Sequence, residues 1–212
     1  SIRHPLQRKF RLQTQSESPD CQYHVAIDES GYWVGGLNDH RDEVLNDNLT
    51  TGSNVYARSI DNRALFASYQ HQFEQHDLLV SLRYDDHSEF GSKATGQLAW
   101  GHTAEDGTRF TASYGTAFRA PSINELFHPG FGGFFAGNPN LNPETSRSLE
   151  AGMRVTPSVS ERIEITVFRN EIDDLIAYEG AGLQAINIAS ATTKGIVSSY
   201  RRQAEHRVTA FE

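Results

Sequence analysis

The stretch from residue 110 to residue 155 decides the fold, and it reads FTASYGTAFRAPSINELFHPGFGGFFAGNPNLNPETSRSLEAGMRV. Apolar and polar side chains alternate over 108–116 and again over 148–155. Successive side chains of a β-strand point to opposite faces, so each run predicts a strand with one apolar and one polar face. The segment between them, 117–145, is rich in Gly, Pro and Asn and predicts a long loop. Within that loop, 121–127 has the pattern of a single helical turn.

The same alternation extends in both directions from this stretch. Further clear strands are predicted at 77–87, 94–101 and 162–168, and weaker ones at 63–74, 183–189, 195–202 and 206–211. Residues 22–28 and 31–37 are expected to form a hairpin, although their alternation is poor. The sequence therefore predicts an all-β protein with about ten antiparallel strands.

One face of these strands is expected to be apolar and the other polar. The residues predicted on the apolar face are Leu78, Val80, Leu82, Leu98, Trp100, Phe110, Leu149, Met153, Ile163 and Ile165. The residues that alternate with them are Ser81, Arg83, Gln97, Thr111, Glu150, Arg154 and Glu164. In a membrane barrel the apolar set faces lipid.

Strand and loop lengths favour a transmembrane β-barrel over a β-sandwich. The clear strands are about eight to eleven residues long, whereas sandwich strands usually have about five or six. The links at 103–107 and 157–160 are short and the link at 117–145 is long. Short turns at one end and long loops at the other are typical of outer-membrane barrels. A secreted β-sandwich binding module stays open as the alternative at this point.

Composition excludes several classes of protein. The chain has 212 residues, with 27 acidic and 19 basic side chains and a net charge of −8. This acidity argues against nucleic acid as a partner. Cys21 is the single cysteine, so neither an internal disulfide nor a Cys-rich zinc site is possible. Apolar runs are too short for a transmembrane helix, but a barrel wall needs only alternate apolar positions.

Two motifs in the deciding stretch carry a resemblance to a known family. They are Phe-Arg-Ala-Pro at 118–121 and Asn-Pro-Asn-Leu-Asn-Pro-Glu at 138–144. In this order and at this spacing they resemble the barrel of TonB-dependent outer-membrane receptors. The segments 167–178 and 187–195 are similar to the strands that follow in that family, although Val197 stands where Glu is usual.

The resemblance is greatest to the vitamin B12 (cobalamin) receptor group, through the segments Asn-Glu-Leu-Phe at 124–127 and Arg-Asn-Glu-Ile-Asp-Asp-Leu-Ile at 169–176. It implies uptake of a bulky nutrient, with cobalamin as the expected one, across the outer membrane of a Gram-negative bacterium. A siderophore or haem receptor, with an iron-chelate ligand, is the alternative. The resemblance implies lipid contact, dependence on the TonB system through a plug domain, no cofactor and no enzymatic activity.

The resemblance also sets an expectation about domain organisation. Complete receptors of the family enclose an N-terminal plug in a barrel of about 22 strands. Residues 1–21 are expected to be irregular and 22–212 to form a partial barrel without a plug. No TonB-binding motif is recognised near residue 1, so the chain is expected to be part of a larger receptor or a truncated relative.

The most informative candidate site lies in the loop, where four aromatic residues stand among glycines between Phe127 and Asn138. Glycine weakens a strand, and exposed aromatic side chains mark contact sites. We therefore predict that Phe131, Phe134, Phe135 and Asn138 contact the ligand.

Metal and catalytic sites are not predicted. The nine histidines are scattered, and His71 and His76 are expected on opposite faces of one strand. The acidic groups Asp39, Asp42, Glu43, Asp47 and Asp85, Asp86, Glu89 lack the fixed spacing of a calcium loop and are interpreted as solvated. No Gly-x-Ser-x-Gly motif supports a barrel lipase, and no spacing supports a protease.

Overall fold

The computed structural model describes residues 10–49, 53–130 and 134–203, and in that part of the chain it shows one antiparallel sheet of ten strands and one short helix. In chain order the elements are β1 (Phe10–Glu17), β2 (Asp20–Ala26), β3 (Gly31–Asn48), β4 (Ser53–Phe73), β5 (His76–His87), β6 (Gly91–Thr103), β7 (Arg109–Arg119), α1 (Ile123–Phe127), β8 (Glu144–Ser158), β9 (Glu161–Glu179) and β10 (Gln184–Arg202). From β3 onward each strand pairs with its neighbours in the chain. The predicted all-β antiparallel fold is confirmed, as are the five clear strands and the helical turn. The prediction for 206–211 lies outside the described residues.

Strands β1 and β2 behave as one strand interrupted at Pro19. Both pair with β3 in one continuous register, in which Glu17 lies opposite Arg41 and Asp20 lies opposite Asn38. Proline has no N–H to donate to a ladder, but the carbonyl of Pro19 still accepts the N–H of Asp39 at 3.0 Å. If β1 and β2 are counted as one strand, the sheet is a meander of nine consecutive strands.

Within the segment 1–21, the described residues from Phe10 onward are strand except at the proline break and so differ from the expected irregular structure; residues 1–9 lie outside the described residues. Residues 11–26 are all exposed. Their own pattern carries little alternation, so it is the backbone ladder to β3 that fixes their conformation.

Several strands are longer than predicted. The predicted strands 183–189 and 195–202 are parts of β10, and 162–168 and 167–178 are parts of β9. Strand β4 has 21 residues and strands β9 and β10 have 19 each. A tilted strand needs only about 9–11 residues to span a bilayer, so these strands extend past any apolar band.

The strand register divides the side chains of the sheet between two faces. The inward face is the one on which α1 packs, and the outward face is its opposite. Residues directly opposite in neighbouring strands share a face, and Val80, Leu98, Tyr114 and Leu149 lie in one such row. All ten residues predicted to share an apolar face lie on the outward face in this way.

The inward face is polar and encloses a cavity. Ser68 and Ser81 hydrogen-bond across β4 and β5 at 2.9 Å, and Gln97 continues their row on β6. A cavity of about 660 Å³ is lined by these residues and by others from β2 to β8. None of the helices in the described ranges is long and apolar enough to cross a bilayer.

We expect the outward band to tolerate charge far less than the inward face. Leu98 on the outward face and Gln97 on the inward face are adjacent in β6. In the full-length protein, Leu98→Arg should destabilise the fold by about 2–4 kcal/mol if the residue lies near the bilayer midplane.

The matched control is Gln97→Arg, which places the same side chain on the polar face and should fold like the wild type. Folding can be followed by urea titration in lipid vesicles. Equal stability of the two variants would contradict the assignment of faces.

Candidate functional site

The loop between β7 and β8 folds back over the inward face and begins with a capped helix. The Ser122 hydroxyl accepts the N–H of Glu125 at 3.3 Å, and the Glu125 carboxylate accepts the N–H of Ser122 at 2.8 Å. This reciprocal capping box satisfies two N–H groups at the start of α1. It explains why a single helical turn can persist inside a long loop.

The apolar side of α1 forms the buried core of the described chain. Ile123 and Leu126 are 4% and 3% exposed. The residues that form this core with them are Val44 of β3, Tyr56 and Ile60 of β4, Leu141 of the loop and Ala185 of β10. The Tyr56 hydroxyl also donates to the side-chain oxygen of Asn124 at 2.8 Å. The loop therefore reaches from β7 across the inward face to β3 and β4.

A second set of hydrogen bonds ties the loop to the opposite side of the sheet. The side-chain amide of Asn138 donates to the carbonyl of Ala185 at 3.1 Å, and its oxygen accepts the N–H of Asn140. The N–H of Asn142 donates to the side chain of Asn187 at 2.8 Å. The loop is thus anchored at β3–β4 and at β9–β10. It spans the end of the sheet where β7 ends and β8 begins, which we call the mouth.

Arg119 joins the two ends of the loop through ion pairs. Its guanidinium donates two bonds of 2.7 Å to the carboxylate of Glu144, where β8 begins. It also contacts the carboxylate of Glu125 at 3.1 Å. Two-pronged arginine–carboxylate bonds are the strong and directional ones. The motif arginine at the end of β7 thus bonds to the motif glutamate at the start of β8.

Glu125 is the third residue of α1, and its carboxyl group is partly buried. Burial alone would raise its pKa, but the N–H of Ser122, the Arg119 guanidinium and the Ser122 hydroxyl together outweigh burial and hold the pKa below its ordinary value. Glu125 therefore stays ionised and keeps the Arg119 junction intact at neutral pH.

The predicted ligand contacts lie on this loop with different environments. Phe134 and Phe135 are 51% and 46% exposed, and the ring of Phe135 lies 6.0 Å from that of Tyr178. The side chain of Asn138 bonds both to β10 and to the loop backbone, so it holds the loop in position. Phe131 lies outside the described residues.

A polar pocket beneath α1 was not predicted. Its volume is about 510 Å³, and its lining includes His40, Asn62, Arg83, Asp85 and His87. Asp85 is 4% exposed and accepts bonds from Arg83 at 2.8 Å and from Asn62 at 2.8 Å. The sequence signal was the Arg-x-Asp pattern, which places both side chains on one face of a strand.

Several of the candidate acidic ligands for calcium are paired with basic side chains. Asp39 contacts Arg63 at 3.8 Å, and Glu43 contacts Arg41 at 2.8 Å. Within the described ranges, no three His, Cys, Asp or Glu side chains are grouped so that they could hold a metal ion.

The prediction for His71 and His76 is wrong. They belong to two different strands, β4 and β5, joined by a tight turn, and the register places both on the outward face. The alternation rule was applied across the break at 75–76 that the predicted strands 63–74 and 77–87 already imply.

Known proteins share both sequence and fold with this chain. A family model described as "TonB dependent receptor-like, beta-barrel" matches residues 7–203. The chain is 37% identical over 158 residues to the vitamin B12 transporter BtuB of Vibrio vulnificus, covering 71% of this chain and 25% of that protein. It is 30% identical over 168 residues to BtuB of Photobacterium profundum, covering 79% and 26%. The chain thus spans about a quarter of the length of these curated relatives.

Solved structures with the same fold include two transporters. The siderophore receptor PirA from Pseudomonas aeruginosa superposes with a TM-score of 0.71 at 21% identity, covering 89% of this chain and 37% of that one. The copper transporter OprC superposes with a TM-score of 0.72 at 18% identity, covering 92% and 35%. At these identities the likeness shows the fold alone.

We predict that Arg119→Ala frees the loop from the ends of β7 and β8. The change leaves two carboxylates that lose their shared cation, which should cost about 1–3 kcal/mol. In the full-length protein, proteolytic cleavage within 120–143 should become faster.

The matched control is Arg147→Ala, which removes an exposed guanidinium 3.8 Å from Asp173. Exposed pairs contribute only about 0–1 kcal/mol, so this variant should be cleaved like the wild type. Cleavage of the Arg119→Ala variant at the wild-type rate would show that the junction does not hold the loop.

The depressed pKa of Glu125 predicts acid sensitivity of the loop. The stabilisation is fully present above the ordinary glutamate pKa of about 4.3 and is lost as pH falls through the lower folded-state pKa. A spin label at position 129 should therefore gain mobility only below about pH 4. The Glu125→Gln variant should show no such transition; an unchanged transition would assign it to another group.

Proposed function

The chain belongs to the TonB-dependent receptor β-barrel family, and we propose that it forms part of the wall and mouth of an outer-membrane receptor for cobalamin. The family consists of transport proteins, so the chain is not an enzyme. Family membership also excludes the secreted β-sandwich. Because the chain spans about a quarter of its curated relatives, the activity of the whole protein is part of the proposal.

The curated relatives support cobalamin over an iron chelate as the ligand. Both are vitamin B12 transporters, at 37% and 30% identity. The structural neighbours that are named as siderophore receptors share about a fifth of their residues with the chain. An iron chelate, siderophore or haem, is the alternative ligand.

The observation that carries the proposal is a pair of exposed aromatic side chains on an anchored loop. Phe134 and Phe135 are exposed, and the ring of Phe135 lies beside that of Tyr178, while their loop is fixed to both sides of the sheet. Cobalamin is bulky, with apolar ring surfaces bordered by amides. Preorganised aromatic surfaces bind such a ligand at a low cost in conformational entropy. We assign Phe131, in the same loop, to this contact as well, and Asn138 to the edge of the site.

The open edges of the sheet support a role within a larger barrel. Among the described residues, the free sides of β1–β2 and of β10 pair with no further strand. Unpaired backbone N–H and C=O groups cost several kcal/mol each in hydrocarbon, so we infer that further strands complete the wall across the membrane. We also infer that residues 22–212 act as one partial barrel, and that its polar inward face meets the plug, through which the TonB system acts.

We predict that Phe134→Ser with Phe135→Ser weakens cobalamin binding by at least about tenfold, which corresponds to 1.4 kcal/mol. The expected cause is loss of aromatic contact area at the mouth. Binding can be measured by equilibrium titration of the full-length protein in detergent.

The matched control is Phe73→Ser, which removes an exposed phenyl ring at the opposite end of the sheet and should leave the affinity unchanged. An unchanged affinity for cobalamin in the double variant would overturn the assigned site. Tighter binding of an iron chelate than of cobalamin by the wild type would overturn the assigned ligand.

A further inference from the structure

A row of stacked rings lies on the outward face at the end of the sheet opposite the mouth. The ring centroids of His76 and His102 are 4.5 Å apart, and those of His76 and Trp100 are 5.7 Å apart. Through Phe73 the row continues to His71, whose ring is 5.8 Å from that of Phe73. Aromatic rings at the edge of an apolar band are common in membrane barrels, but three imidazoles among them require another explanation.

A hydrogen bond at His76 and burial at His71 and His102 place the imidazole protons on Nε2. The indole N–H of Trp100 donates to Nδ1 of His76 at 3.2 Å, so the proton of that imidazole is on Nε2. Nδ1 of His71 and of His102 is buried and has no partner within the described ranges. A buried donor without an acceptor is rarer and more costly than a buried acceptor without a donor. Their protons are therefore on Nε2 as well.

The turns just beyond this row are acidic. They contain Asp28, Glu29, Glu74, Glu105 and Asp106, and no lysine or arginine occurs in 27–30, 74–75 or 104–108. Among the described residues none of these five carboxylates forms an ion pair, and all five are exposed. The surface thus presents N–H donors next to the apolar band and negative charge one step farther from it.

This order of groups matches one lipid headgroup, and we propose that the ring row and the acidic turns together bind phosphatidylethanolamine. The phosphate accepts N–H bonds from Nε2 of His76 and His102, and the ammonium, two carbons farther out, meets Glu74 and Glu105. Phosphate oxygens are strong acceptors, and a headgroup without a cation would be repelled by the turns. The proposal rests on the membrane-spanning role proposed above.

The test is lipid retention by the full-length protein, purified in detergent, exchanged into equal amounts of phosphatidylethanolamine and phosphatidylglycerol, and analysed by native mass spectrometry. The wild type should retain phosphatidylethanolamine at least about fivefold more than phosphatidylglycerol, a difference of about 1 kcal/mol. Equal retention by the wild type would overturn the proposal without any variant.

Two variants separate the N–H donors from the rings. His76→Phe with His102→Phe keeps the rings. It should lower the ratio of retained phosphatidylethanolamine to phosphatidylglycerol at least about fourfold, which is about 0.8 kcal/mol. His76→Gln with His102→Gln keeps an N–H donor at each position and should retain most of it. Full preference in the Phe variant would overturn the role of the imidazoles.

The matched control is His24→Phe with His40→Phe, which makes the same change on the inward face and should leave lipid retention unchanged. Glu74→Gln with Glu105→Gln should raise the retained share of phosphatidylglycerol, and no rise would overturn the role of the turns. Cobalamin titration of the same preparations keeps the two proposals apart. A wild type without lipid preference but with intact cobalamin binding overturns this inference alone, and a wild type with lipid preference but without cobalamin binding overturns the cobalamin assignment alone.

Discussion

Everything in this structure depends on the unbroken backbone ladder that runs from β1–β2 to β10. Each strand from β3 to β9 pairs with a neighbour on both sides, as a sheet in hydrocarbon must. The register of that ladder also sorts every side chain onto one of two faces. A shift of one residue in any pair would exchange those faces, placing Arg83 and Glu150 in the apolar band and Leu82 and Leu149 in the cavity.

Alternation was sufficient to predict strands wherever one face is apolar and the other polar, as in β5 and β6. It was insufficient where strands leave the apolar band. Strands β9 and β10 continue through Arg169 and Lys194, where charged side chains occupy the outward face and the two-residue pattern vanishes. Strand β1 is polar except at Phe10 and Leu12, and it owes its conformation to β3.

The loop shows what a motif can and cannot predict. Both family motifs were evident in the sequence, but the bond between Arg119 and Glu144 depends on the pairing of β7 with β8, which brings residues 25 positions apart into contact. The exposed Phe134 and Phe135 were predicted from composition. The burial of Asp85 beside Arg83 was not, because nothing in the sequence showed that α1 would cover this pair. The same loop conformation anchors α1 on the sheet and leaves the rings of Phe134 and Phe135 exposed.

The most direct test of a lipid-facing wall is an accessibility scan along β5 in the full-length protein reconstituted in lipid vesicles. Single spin labels at positions 77 to 85 would be probed with oxygen, which concentrates in lipid, and with a water-soluble nickel complex. If the outward face of β5 contacts lipid, oxygen accessibility peaks at 78, 80, 82 and 84 and alternates with period two. Equal accessibility at odd and even positions, or preferential access of the nickel complex to the even ones, would contradict a lipid-facing wall.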